Sequence, residues 1–105
     1  MYHLIPTSIC SSYGSINVVN LWDLGYTGRG INVGVMDSLP NKDHPDLKNK
    51  LNLTLGYDYI RDAPVGSIPT GYTNVHGTFV SGIIGAEANN LLYGAGVAHG
   101  ATIVP

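Results

Sequence analysis

Between Val75 and Ala88 the chain carries an apolar run interrupted at short intervals by Gly77, Ser81, Gly82, Gly85 and Ala86. The length predicts a helix, with Asn74 as its N-cap, because a short side-chain carbonyl there can accept from backbone N–H groups that have no partner within the helix. Small residues let the backbone approach its neighbour closely, so this helix has to lie hard against a sheet or a second helix. Two short apolar runs flank it, Ile31 to Met36 and Ala101 to Val104, and each reads as a buried strand. Strand, helix and strand in alternation predict an α/β fold built on a mostly parallel sheet.

The remaining segments are read around that frame. Val18, Leu21 and Trp22 fall at helical spacing between Ile16 and Leu24, with Ser15 as a possible N-cap and Gly25 as a C-cap. Gly25 to Gly30 is rich in turns, but it follows a helix and opens a strand, whereas a phosphate-binding glycine fingerprint follows a strand and opens a helix. Ser38 to Leu47 is a polar loop with two prolines, Leu55 to Tyr59 reads as a second short strand, and Arg61 to Thr73 as irregular. Asn89 to Gly94 breaks the helix before the last strand. No internal repeat or linker interrupts the chain.

Composition sets limits on partners. With 105 residues, 14 glycines and 11% charged residues, the chain reads as part of a larger domain rather than as an independent one. A formal net charge of -2 with scattered Lys and Arg provides no basic face for nucleic acid or anionic lipid. Met1 to Pro6 has neither the cationic start nor the apolar core of a signal peptide, and no apolar run approaches the roughly 20 residues that span a bilayer. Cys10 stands alone, which excludes an internal disulfide and a cysteine-based zinc site. The seven tyrosines share no common spacing and read as half-buried packing, not as a stacking platform.

Two residues carry candidate chemistry. Asp37 follows the apolar run at Ile31, where a parallel sheet delivers functional groups at the carboxyl ends of its strands. His76 sits at the mouth of the small-residue helix, which would hold its ring rigidly. A hydroxyl nucleophile needs a base to take its proton, and the base needs a partner that fixes its tautomer and stabilises the imidazolium. His76 and Asp37 have the chemistry of base and orienter, against the plain alternatives of a histidine at a helix start and a carboxylate capping a loop.

Three segments, in order, resemble the subtilisin-like serine proteases, or subtilases. Val33 to Ser38, followed by His44-Pro45-Asp46-Leu47, is similar to the aspartate motif. His76-Gly77-Thr78 with Val80 and Gly82 is similar to the histidine motif, and Gly96-Val97-Ala98 with Ala101-Thr102-Ile103 to the segment after it. The resemblance runs from about Ile16 to Pro105. It implies a three-layer subtilisin-like fold present as its N-terminal portion, with residues 1–15 as an extension and 16–105 as a partial catalytic domain. It also implies a serine endopeptidase in which Asp37 and His76 are catalytic, a peptide or protein substrate, completion by the remainder of the domain, and secretion. A structural calcium is implied near Asp46 and Asn90, since hard cations gather carboxylate, amide and carbonyl oxygens.

Some residues depart from the pattern. Leu39 stands where a glycine usually follows, and a side chain there could shift the loop carrying Asp37; Phe79 replaces a common second histidine and His99 a frequent proline. His44 and His3 read as bystanders. None of Ser8, Ser11, Ser12, Ser15, Ser38, Ser67 and Ser81 lies in a Gly-x-Ser-x-Gly or Gly-Thr-Ser setting, so the chain carries no recognisable nucleophile and is expected to be inert alone. A catalytically dead module that binds or scaffolds is the alternative. A nucleotide-binding α/β domain is the weaker one, since it gives His76 no role.

Overall fold

The computed structural model describes residues 16–92 and 94–105. Ser15 as a cap, the 1–15 extension, Cys10, His3 and Tyr93 lie outside the described residues. Helix α1 spans Val19–Asp23, and Trp22 is the residue it buries. Gly25, at φ 91°, ends it. The Gly25 N–H bonds to Trp22 O at 2.9 Å and the Tyr26 N–H to Leu21 O at 2.9 Å, the paired closure that a left-handed glycine after a helix permits. The indole of Trp22 donates to Val97 O at 2.8 Å, fastening α1 to the segment just before the last strand.

Strands β1 (Asn32–Gly34) and β4 (Thr102–Val104) pair in parallel, Val33 opposite Ile103, as the alternating pattern predicts. The ladder extends past β1 through Val35 N–H to Val104 O at 2.9 Å. Along its other edge β4 forms a parallel bridge with Leu51. Ile103 is therefore engaged from both sides and is fully buried; Leu47, Val65 and Ala101 are also almost wholly withdrawn from solvent.

The segment from Leu55 to Thr73 is more ordered than its sequence suggests. Strand β2 (Tyr57–Asp58) pairs antiparallel with β3 (Ala63–Pro64), and two short 3-10 turns follow at Val65–Ser67 and Thr70–Tyr72. Asp58 organises the hairpin loop by accepting from the Ile60 and Arg61 N–H groups and pairing with the Arg61 guanidinium at 2.6 Å. Part of the stretch expected to be irregular is thus a strand whose partner lies five residues upstream.

Helix α2 spans Val75–Gly85, ending three residues before the expected Ala88. Ala86 already has extended backbone at ψ 140°, and the Glu87 N–H turns away to Asp46 O at 2.9 Å. The face of α2 that packs inward carries Gly77, Ser81 and Gly85, all buried. A Cβ on Gly85 would lie 3.2 Å from the Ile103 side chain, which shows how closely helix and strand approach. On the opposite face Val75, Phe79 and Ile83 are each 68% exposed.

Candidate active site

The site lies where the chain leaves β1. Past Val35 the backbone departs from the sheet, so the Asp37 carboxylate stands beyond the carboxyl end of the strand, toward the start of α2. Asn74 caps that helix by accepting the His76 N–H at 2.9 Å. The loop after Asp37 is then stitched to the first turn of α2. Asn74 N–H donates to Leu39 O at 2.8 Å, Asn41 N–H to Thr78 Oγ1 at 2.8 Å, and Gly77 N–H to Ser38 Oγ at 3.0 Å. Gly77 is required at this junction, because a Cβ there would sit 1.8 Å from Ser38 O.

These ties bring His76 Nδ1 within 2.8 Å of Asp37 Oδ1. Leu39 does not hold the pair apart: it is not among the residues with positive φ, and its carbonyl accepts the Asn74 N–H at the helix cap. Asp37 Oδ1 also accepts from the Ser38 N–H at 2.6 Å and the Ser38 hydroxyl at 3.0 Å. The hydrogen bond from His76, followed by that from the Ser38 N–H, holds the Asp37 carboxyl below the ordinary aspartate range. An ionised carboxylate only accepts, so the imidazole proton belongs on Nδ1, and Nε2 is left with the lone pair. The His76 side chain is 73% exposed and that of Asp37 19%, so the carboxylate is sheltered while the ring faces outward.

Ser38 is the site residue that sequence reasoning passed over as a mere member of a motif. Its partner Gly77 lies 39 residues away, and only the fold shows that they touch. Of the other described serines, Ser67 Oγ donates to Pro64 O at 2.7 Å, and Ser81 is fully buried in α2, where its Oγ has no hydrogen-bond partner.

Asp46 and Asn90 also meet. The Asn90 amide donates to Asp46 Oδ1 at 2.5 Å, and its own oxygen accepts the Leu92 N–H at 3.1 Å. As placed, the pair is wired to itself. A cation there would require Asn90 to turn its oxygen inward and loop carbonyls to close around it, since calcium takes six to eight oxygens. Among the described residues no three His, Cys, Asp or Glu side chains cluster as metal ligands. Nor is any helix among them long and apolar enough to cross a membrane.

Comparison with known proteins places this chain in a family. Neuroendocrine convertase 2 of Bos taurus is 38% identical over 90 residues, which cover 84% of this chain and 14% of that protein. The minor extracellular protease Vpr of Bacillus subtilis (strain 168) is 37% identical over 95 residues, 85% of this chain and 11% of its own length. Furin-like protease 1, isoform 1-CRR, of Drosophila melanogaster is 33% identical over 90 residues, with 84% and 8% covered. The chain therefore spans a small part of each relative. A family model described as Subtilase family matches residues 28–105, a range that contains both Asp37 and His76. On that match and these identities, the chain belongs to the Subtilase family of proteases.

Proposed function

We propose that residues 16–105 are the N-terminal part of the catalytic domain of a subtilisin-like serine endopeptidase, with His76 as general base and Asp37 as its orienter. The observation that carries this reading is the 2.8 Å contact between Nδ1 and the carboxylate, which leaves Nε2 as the basic nitrogen on the exposed edge of the ring. In the parent protein a serine from a later segment donates its proton to His76 Nε2 as its Oγ attacks the peptide carbonyl. The same proton then passes to the leaving amine, and the acyl-enzyme is released by water activated in the same way. Asp37 stays ionised and stabilises the imidazolium, and backbone N–H groups in the rest of the domain receive the oxyanion.

The exposed ring of His76 and the apolar row Val75, Phe79 and Ile83 support the remainder of the domain as the partner that completes the site. The substrate in this reading is a peptide or protein. Secretion is part of the proposal, on the strength of a relative whose name describes an extracellular protease. Calcium is proposed as a structural ion at Asp46 and Asn90; a rise in the parent's melting temperature on adding calcium supports it, and no change removes it.

The reading is tested with a serine-directed fluorophosphonate and a fluorogenic peptide, each applied to the 105-residue chain and to the parent. We expect the parent to be labelled and active and the chain to be neither. Labelling of the chain contradicts the assignment. The second reading is a catalytically dead subtilase-like module that binds or scaffolds. A parent protein that takes no label supports it.

A further inference from the structure

One hydroxyl is wired to both halves of the site. Ser38 Oγ accepts the Gly77 N–H at 3.0 Å and donates to Asp37 Oδ1 at 3.0 Å. Gly77 follows His76 in the first turn of α2, so Ser38 spans the base's helix and the orienter's oxygen. Because the hydroxyl accepts from Gly77, its own proton is directed at the carboxylate. The contact leaves no slack, given that a Cβ on Gly77 would overlap the Ser38 carbonyl at 1.8 Å. Two consecutive N–H groups at the start of α2 thus find acceptors in side chains: His76 N–H in Asn74 Oδ1 and Gly77 N–H in Ser38 Oγ.

We propose that Ser38 is a positioning residue for the Asp37–His76 pair, its hydroxyl fixing the carboxylate's rotation and holding the first turn of α2 in register with it. The inference rests on the catalytic reading given above. Rotation of a carboxylate about its last bond is soft, with broad wells instead of sharp rotamers, so the donors around Oδ1 decide which oxygen faces the imidazole. Removing the hydroxyl takes away one of those donors and also leaves the Gly77 N–H without its acceptor at a helix start. The Ser38 N–H alone cannot make this link, since it reaches Asp37 but not α2.

The test compares Ser38→Thr, which keeps an Oγ, with Ser38→Val, which has the same shape without one, and with Ser38→Ala, all in the parent enzyme. The alanine and valine variants are expected to lose about tenfold to a hundredfold in kcat with KM nearly unchanged, as small misplacements of reacting groups do. The threonine variant is expected to stay within a few-fold of wild type. In the proton NMR spectrum, the low-field Nδ1–H signal of His76 should shift or broaden in the alanine and valine variants and persist with threonine, a change that a loss of stability alone does not produce. Equal activity of the threonine and valine variants overturns the inference, and their contrast decides it even where alanine prevents folding. An Asp37→Asn control separates the two levels: if it keeps full activity, the catalytic reading falls. If it loses activity while Ser38→Val does not, only the role of Ser38 falls.

Discussion

A carboxylate that accepts three hydrogen bonds on one oxygen is a poor proton acceptor, and the pH behaviour of Asp37 follows from that. The His76 hydrogen bond, then the Ser38 N–H, depress its folded pKa below the ordinary 3.8. A depressed value means that the stabilisation is present above the unfolded pKa and is lost as pH falls through the folded one. We expect the Asp37 carboxyl carbon to titrate below 3.8 by NMR and His76→Ala to move the midpoint upward; an unmoved midpoint would break the link between the two residues. At Gly77, alanine is expected to destabilise by about 1–3 kcal/mol through overpacking, and to lower activity as well, because the clash falls on the loop that holds Asp37. Denaturant unfolding and peptide hydrolysis measure the two effects. That Asp37 and His76 would meet was legible from motif and chemistry. Ser38 was not, because a serine after an aspartate reads as loop until the fold brings Gly77 against it.

The helix that carries His76 is set by its two ends and two faces. Asn74 is visible as a cap in the sequence, and its replacement by alanine is expected to cost about 1 kcal/mol of stability in an unfolding titration. The far end was misread because nothing local stops a helix at Gly85; the chain leaves it to let Glu87 bond with Asp46, a partner 41 positions upstream. The hairpin of β2 and β3 escaped for a related reason, since Ala63–Pro64 has weak strand character and pairs only because Asp58 and Arg61 shape the turn. The faces of α2 differ in what they predict. Its small residues were read correctly as a packing surface, whereas Val75, Phe79 and Ile83 remain 68% exposed. If later parts of the parent cover that row, Phe79→Ala costs about 3–5 kcal/mol there. In the 105-residue chain the same change stays within about 0.5 kcal/mol. Equal costs in the two proteins would show that the row is not covered by the rest of the domain.

At the scale of the molecule, a parallel pair of strands and one buried helix face carry the site, and much apolar surface remains outside the core. Met36 is fully exposed, Ile60 and Leu91 nearly so. The α/β character was legible because parallel strands and a small-residue helix leave distinct patterns. A third layer was implied by resemblance, and the described residues form only one parallel pair and one hairpin. The aligned part of the chain covers 14% of its convertase relative, and the proposed activity is therefore tested in the parent. The claim that His76 is the base held by Asp37 is tested most directly by kcat/KM for peptide hydrolysis in the parent, wild type against His76→Ala, with folding checked by circular dichroism. The account predicts a fall of at least about 10⁴-fold in a folded variant. A folded His76→Ala enzyme that retains wild-type kcat/KM would contradict it.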